Sequence, residues 1–462
     1  MSVYRTIAIA ALTVWALPTY ARSAEQPPNI IFIFADDWGY GDLSSHGSDF
    51  VKTPNIDRMA EEGIDFRNFT VNHPVCSPSR TAVMTGQFPA RHSIHAHFST
   101  VAQHRRNRMP DWLNPEAPML PRMLQQRGYV TGHFGKWHLT NRDISDAPLP
   151  SAYGYDEYAA FNLPGPQVDT AQCSSRAADF IRRHNDKPFF INLWLHETHL
   201  PHYPQERFLK RFEHLDEQQQ VYAAVVAEAD EGVGLILDTV NQLGLDESTL
   251  VIFSSDNGPE STGKAPQKQK GDASTGSGLG KYYSVGTTGG LKGRKRSLFS
   301  GGVRVPFIAC WPGEIPAGKI DMQTVITAVD LLPTFLEIAG QEMPASYKPD
   351  GQSILPALKG LPFERSEPIF WEWKGRHDQA YLWPHLGIRQ GKWKLMVDES
   401  LEQSVLYDIE TDWAEERDLS VQFPEVATAL LEQVLDWHRT LPNSPPEDCF
   451  SSSREPVVAN TN

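Results

Sequence analysis

The stretch Asn29-Ile30-Ile31-Phe32-Ile33-Phe34-Ala35-Asp36-Asp37 decides the fold. Its apolar run is short for a helix, rich in Ile and Phe, and free of the polar alternation of a half-wet strand, so it reads as a strand buried on both faces. Strands of that kind belong to parallel sheets covered by helices. The abrupt change to two aspartates then matters, because ligands of open α/β sheets bind just outside the carboxyl ends of the strands.

Working outward, the same pattern recurs. Tyr129 to Phe134 ends in Gly135-Lys136-Trp137-His138, Pro188 to Leu195 leads to His196 and His199, Thr249 to Ser255 leads to Asp256-Asn257-Gly258, and Val305 to Trp311 is a further apolar run. Helix signals stand between them: Thr53-Pro54 opens a segment closed by Gly63, Met119 to Arg127 is closed by Gly128, and Glu217 to Leu243 is closed by Gly244. Thr327 to Ala339 carries Pro333 in its middle and is expected to kink there or to begin later. The predicted class is α/β, a mostly parallel central sheet flanked by helices over residues 25–355. Beyond about 355, Pro-rich spacers, the tryptophans Trp371, Trp373, Trp383, Trp393, Trp413 and Trp437, and alternating runs such as Gly391 to Val397 predict a smaller antiparallel sheet within 356–445. A last helix, Pro424 to Thr440, would pack on it, the tryptophans would fill its core, and 446–462 would be a flexible tail. Ser261 to Lys281 lacks periodicity and predicts a long loop.

Composition bounds the function. Of 462 residues, 40% are hydrophobic and 21% charged, which supplies a core and excludes a disordered chain. The net charge of −15 excludes long-range attraction to nucleic acid or an anionic membrane, so any bound anion must meet a local basic patch. Arg5, the apolar run Ile7 to Leu17, Pro18 and Ala21-Arg22-Ser23-Ala24 make residues 1–24 a secretory signal peptide, too short to span a bilayer. The protein is therefore expected to be exported, periplasmic or secreted, with no integral membrane contact. Cys76, Cys173, Cys310 and Cys449 are too few for a disulfide framework; one bridge at most is expected, and Cys310 reads as a small buried hydrophobe.

Asp36, Asp37, Asp256 and Asn257 are all hard oxygen donors, a set suited to Ca2+ or Mg2+. Each pair alone reads as a helix cap or turn. Two adjacent aspartates ending a buried strand, however, repel each other unless a cation or proton intervenes. Cys76-Ser77-Pro78-Ser79-Arg80-Thr81 places a cysteine before an expected helix, Arg80 to Thr85, capped by Ser79 and ended by Gly86. A reactive thiolate is one reading of Cys76, yet a soft thiolate matches a hard cation poorly. The run from His196 to His202 lacks His-Glu-x-x-His spacing and is not expected to hold zinc; His196 and His202 are either cleft residues or structural histidines.

The run Cys76-Ser77-Pro78-Ser79-Arg80 resembles the Cys-x-Pro-x-Arg signature of type I sulfatases, of the alkaline phosphatase superfamily, in which the cysteine is oxidised to formylglycine. The resemblance extends, in the family's order, through Asp36-Asp37-Trp38-Gly39-Tyr40-Gly41-Asp42, Gly135-Lys136-Trp137-His138-Leu139, Thr198-His199-Leu200-Pro201, Asp256-Asn257-Gly258 and Gly301-Gly302-Val303-Arg304-Val305-Pro306, spanning about 28–355. Ser300 departs from the glutamate often found before Gly-Gly.

The resemblance implies an alkaline-phosphatase-like sheet and a sulfuric ester hydrolase. Cys76 would become an aldehyde hydrate facing the metal with Asp36, Asp37, Asp256 and Asn257; one hydroxyl attacks sulfur to form a covalent sulfated intermediate, and the other then drives sulfate out. Arg80 and Lys136 match residues around the formylglycine and metal, His138 the one that bonds the hydrate, and His199 and Lys295 the sulfate-binding pair, with Lys292 the competitor for Lys295. It further implies a formylglycine-generating or sulfatase-maturating enzyme as partner. Between Ser261 and Arg304 the chain has nine basic residues against the single acid Asp272, and His104, Arg105, Arg106 and Arg108 form a second basic cluster. Beside a sulfate site these read as contacts to a sulfated carbohydrate, with Lys292, Arg105, His196 and His202 as candidates. Two alternatives stay open: a phosphonate or phosphodiester hydrolase of the same superfamily, and a non-catalytic sulfated-glycan binder if Cys76 is not oxidised.

Overall fold

Asn29–Ala35 forms a strand buried along its whole length. Its side chains alternate between two apolar cores, Ile30, Phe32 and Phe34 entering one and Ile31, Ile33 and Ala35 the other, as period-two geometry requires of a sheet covered on both faces. The computed structural model describes residues 26–264, 268–270, 277–375, 384–398, 400 and 402–454. The expected signal peptide at 1–24, Asp272, Trp383 and the end of the tail lie outside the described residues.

This strand pairs in parallel with Phe189–Trp194 on one side and Thr249–Ser255 on the other. Val130–Lys136 and Glu157–Phe161 continue the sheet beyond Phe189–Trp194. On the other flank, Phe307–Cys310 runs antiparallel to Thr249–Ser255 and is followed by Ile64–Phe66 and Lys319–Asp321, giving eight strands among the described residues. The run expected at Val305 to Trp311 is thus a shorter, opposed strand, because apolar residues report burial and not direction. Helices Pro54–Glu62, Cys173–Arg183 and Glu217–Gln242 cover the Ile31 face, and Cys76–Thr85 and Leu331–Ile338 cover the Phe32 face.

Local departures from the expected elements have local causes. Leu331–Ile338 begins late, behind a tight turn Ala328–Asp330 capped reciprocally by Thr327 and Asp330, which leaves Pro333 in the first turn where its missing N–H breaks no helical bond. The segment expected as Met119 to Arg127 is helical only over Leu120–Gln125. Within the expected loop Ser261 to Lys281, Lys268–Lys270 and Ser277–Leu279 pair as a small ribbon that touches His202 through Leu279.

The second sheet is antiparallel, in the order Ile369–Glu372, Leu386–Gln390, Trp393–Val397, Ser404–Asp408, with helix Pro424–Arg439 packed on it. Trp371, Trp373 and Trp437 are buried, and Trp437 stacks on Phe370 at 4.8 Å; Trp371 donates to the Val71 carbonyl, so its core is continuous with that of the first sheet. The part of the expected flexible tail that is described is docked instead: Cys449 and Ser451 are buried, and the Asp111 carboxylate accepts from the Ser451 N–H and pairs with Arg454. All four cysteines are free and buried. Among the described residues no helix is long and apolar enough to cross a membrane.

Candidate active site

The strand ends meet at one rim. Asp256 N donates to Ala35 O, Asp37 N donates to Asp256 Oδ1 at 3.2 Å, and Asn257 Nδ2 donates to Asp37 Oδ1 at 2.7 Å, so two segments some 220 positions apart are laced into one buried acidic floor. Cations of the chain answer it. Lys136 Nζ lies 2.5 Å from Asp36 Oδ2, Lys295 Nζ 2.6 Å from Asp37, and Arg80 Nη2 2.7 Å from Asp256 Oδ2. Arg80 is wholly buried, with its guanidinium over the Trp194 ring at 4.7 Å.

Burial, followed by the charge of Asp36, pushes Asp256 up to about 7 despite Arg80. Burial also opposes ionisation of Asp36, but His199, Lys136 and the His196 hydrogen bond hold its carboxyl well below the usual range.

Cys76 is the first residue of its helix, not a residue ahead of it. The helix runs Cys76–Thr85 from Val75 to Gly86, and Ser79 does not cap it: its hydroxyl donates back to the carbonyls of His73 and Val75. Burial pushes the Cys76 thiol up, Lys136 and Lys295 being offset by Asp36 and Asp256. That disfavours the thiolate reading. The sulfur lies 3.2 Å from His138 Nδ1, while His138 Nε2 contacts the Phe98 carbonyl oxygen at 2.9 Å. A carbonyl only accepts, so Nε2 carries the proton and Nδ1 offers its lone pair to residue 76. Burial, then Lys136, push the His138 pKa well down, keeping the ring neutral.

Asp36, Cys76 and Asp256 each place a donor atom within 4.8 Å of the others. Among the described residues Asp36 Oδ1 and Asn257 Oδ1 are buried with no hydrogen-bond partner, a costly state for two acceptors unless something positive faces them. Orphaned hard oxygens beside crowded carboxylates fit a divalent cation with oxygen ligands, which Asp36, Asp37, Asp256 and Asn257 could hold. Asp36, His196 and His199 also approach within 4.8 Å, although sequence spacing argued against a zinc site there. Lys136 already occupies Asp36 Oδ2, which opposes a second cation.

A cleft of about 510 Å3 opens from this floor, lined by Lys136, His138, His196 and His199. His196 bonds Asp36 and stacks on His199 at 4.6 Å, and His199 Nδ1 donates to the Leu200 carbonyl. The far wall was not legible in the sequence. It includes Glu197 and Glu228, both pushed up by burial, Glu228 to about 7 with Glu197 adding to the shift.

Three expected cleft residues lie elsewhere. His202 is buried, with Nε2 on Ser284 Oγ and its backbone paired to Leu279, and is structural. Lys292 reaches the Tyr407 hydroxyl and the Glu415 carbonyl across the Phe299 ring, which leaves Lys295 as the lysine of the floor. Arg105 sits on helix Val101–Arg106, away from the cleft wall. Much of the basic run is committed too: Arg294 donates to the carbonyls of Glu260 and Gly286, and Arg304 to that of Arg67. Glu260, just after Asp256-Asn257-Gly258, was missed; it pairs with Arg296 through both oxygens and stands 3.9 Å from Lys295. At Ser300, the carboxylate of Glu415 reaches in from the segment that follows the second sheet and accepts the Ser300 N–H.

Residues 28–341 match the sulfatase family, and 293–439 match the C-terminal region of N-sulphoglucosamine sulphohydrolase. The chain belongs to the sulfatase family. The sulfatase is 33% identical over 412 residues to N-acetylgalactosamine-6-sulfatase of Canis lupus familiaris, covering 79% of this chain and 73% of that protein. It is 30% identical over 389 residues to arylsulfatase A of Homo sapiens, covering 75% and 70%. Among solved structures it resembles Ps i-CgsB in complex with k-i-k-neocarrahexaose, with a TM-score of 0.75 and 28% identity over 89% of this chain and 93% of that one. The phosphonate monoester hydrolase of Agrobacterium radiobacter shares the fold, with a TM-score of 0.61 at 19% identity over 89% and 95%. The sulfatase is accordingly a sulfuric ester hydrolase of alkaline-phosphatase-like architecture.

Proposed function

We propose that this sulfatase is exported and removes sulfate from a sulfated carbohydrate, with formylglycine at position 76 and Ca2+ bound by Asp36, Asp37, Asp256 and Asn257. The observation that carries this reading is the position of Cys76: a protonated, buried thiol at a helix start, beside the orphaned oxygens and against the acceptor nitrogen of His138. A protonated thiol can donate to His138 but is a poor ligand for a hard cation, whereas an aldehyde hydrate serves both. Its two hydroxyls supply a nucleophile toward sulfur and a second proton whose loss releases sulfate.

The chain's own residues do the rest. His138 Nδ1 takes the hydrate proton, and Phe98 holds the ring in the needed tautomer. Lys136, Lys295 and Arg80 surround the site with positive charge, which favours an anionic ester and the charge that develops as the bond to sulfur breaks. His199, on the cleft wall, is the candidate general acid for the leaving oxygen, a role that requires a second proton on Nε2 because Nδ1 is tied to the Leu200 carbonyl. The carbohydrate assignment draws on the relatives' names and on the open cleft.

Two measurements test the reading. Peptide mass spectrometry across Cys76, in protein produced with a maturation enzyme, is expected to show the aldehyde; an intact thiol in all molecules would overturn it. Sulfate release from defined sulfated oligosaccharides, set against matched phosphate esters, is expected to favour sulfate, and a clear phosphate preference would point to the phosphonate and phosphodiester hydrolases of the superfamily.

A further inference from the structure

Where the second sheet packs on the first, the buried charges do not balance. Arg389, on Leu386–Gln390, and Lys394, on Trp393–Val397, stand directly opposite each other in the ladder, a like-charge pairing that by itself costs stability. Arg304, which follows the short helix Ser300–Val303, adds a third cation within electrostatic reach of both. All three side chains are buried, at 2%, 2% and 5% exposure for Arg389, Lys394 and Arg304. The buried carboxylate among them is that of Glu415, and it is fully engaged: one oxygen accepts from Lys394 Nζ at 2.7 Å and the other from the Ser300 N–H. Lys394 is thereby paired. Arg304 and Arg389 make no ion pair among the described residues.

Neutral acceptors on adjacent residues hold the two guanidiniums near each other. Arg304 Nε donates to the Arg67 carbonyl at 2.8 Å, and Arg389 Nη1 donates to Asn68 Oδ1 at 2.8 Å. Arg389 Nε donates to the Gly391 carbonyl, while its Nη2 is buried with no hydrogen-bond partner among the described residues. The rings of Tyr40 and Trp413, 5.5 and 4.9 Å from the Arg304 guanidinium, soften that charge but do nothing for Arg389. Burial, then repulsion from Arg304 and Arg365, pulls Arg389 down to about 9, so it is still a cation at neutral pH. Arg365 has its own partner in Asp330, and Glu410, the other carboxylate acting on Arg389, is exposed. A buried charge in that condition is strongly destabilising unless a counter-charge joins it.

We propose that Arg389 and Arg304 form a binding site for a small monovalent inorganic anion of the halide class, chloride first among them. Burial sets the size: the ligand must shed its water and fit among side chains already packed, which favours a single atom over sulfate or a sugar carboxylate. Arg389 Nη2 supplies the free N–H and the two guanidiniums the charge. The anion takes no part in ester hydrolysis, and the inference does not depend on the substrate reading above. It bears on the active site through Glu415, whose carbonyl accepts from Lys292 and whose carboxylate accepts from Ser300. These contacts brace both ends of the segment from which Lys295 reaches Asp37.

The test measures thermal unfolding of the mature protein while chloride replaces gluconate at fixed ionic strength, with calcium constant. The wild-type melting temperature is expected to rise with chloride and to level off as the site fills. Arg389→Gln, which removes the charge and keeps a donor, is expected to melt in gluconate at least as high as the wild type does there and to show no chloride response. A wild type indifferent to chloride, or an equal rise in Arg389→Gln, would overturn the site. Bromide-soaked wild-type crystals decide the matter even if the variant does not fold. An anomalous peak in hydrogen-bond contact with Arg389 is expected; a water or one of the chain's own carboxylates in that place would overturn the proposal.

Discussion

The Nδ1 atom of His138 lies 3.2 Å from the sulfur of Cys76, and the other ring nitrogen is tied to the Phe98 carbonyl. The imidazole is thus locked as a hydrogen-bond acceptor toward one atom. Replacing it removes a base without removing a metal ligand. In mature protein, His138→Ala is expected to lower kcat by about 10²–10⁴ while changing KM much less, as steady-state kinetics on a sulfated oligosaccharide would show. A loss confined to KM would mean that His138 only helps to hold substrate.

Cys76→Ser tests the need for two hydroxyls. A serine oxygen can attack sulfur and expel the alcohol, but it has no second hydroxyl with which to eliminate sulfate. Intact-mass measurement after incubation with substrate is expected to show one sulfate retained per chain and no turnover; sustained turnover would refute the hydrate mechanism.

The cation is expected to be a stability element as well as a catalytic one. A ligand bound only by the folded state, present at 100 times its Kd, adds about 2.7 kcal/mol. Calcium should therefore raise the melting temperature of chelator-treated protein, and Asp256→Asn should abolish most of that rise by removing one carboxylate from the floor. An equal rise in Asp256→Asn would place the cation elsewhere.

Gly258 follows the proposed ligands Asp256 and Asn257, and its N–H donates to the Gly302 carbonyl. A Cβ at Gly258 would stand 1.8 Å from the carbonyl oxygen of Gly301. Both neighbours are backbone and cannot swing away, so Gly258→Ala is expected to cost more than about 4 kcal/mol or to displace the loop and weaken calcium binding. Denaturant unfolding with and without calcium reads both effects.

The docked C-terminal segment should respond to acid. Burial opposes the charge of Asp111, but hydrogen bonds from His104, Arg454 and the Ser451 N–H hold its pKa below the ordinary 3.8. A depressed folded-state pKa contributes stability that is complete above the unfolded value and is lost as pH falls through the folded one. Amide exchange at Ser451 is therefore expected to stay slow at neutral pH and to accelerate below about 3.8, and to be fast already at neutral pH in Arg454→Ala. Indifference to pH would show that the segment is held by Cys449 and its apolar neighbours alone.

Much of the site could be read directly because each functional group ends a buried strand. An apolar run announces burial, and the polar residues that stop it announce the rim, so Asp36, Lys136, His199 and Asp256 were visible as members of one edge before any packing was known. The same logic found the burial of Val305 to Trp311 but gave the strand no direction. It was silent on Glu260 and Glu228, whose importance comes from what they face.

Taken in order, the residues determined the two-sided sheet, the antiparallel unit behind it, the hard-oxygen set and the cysteine signature, because these depend on side-chain type, local period and short spacing. Only the tertiary structure decided that Lys295 and not Lys292 enters the floor, that His202 supports a bridge, that Ser79 turns back and that the chain end docks on Asp111. Those outcomes hang on contacts between residues far apart along the chain. Such contacts form only where packing brings two groups within hydrogen-bond reach, a condition that no local pattern encodes.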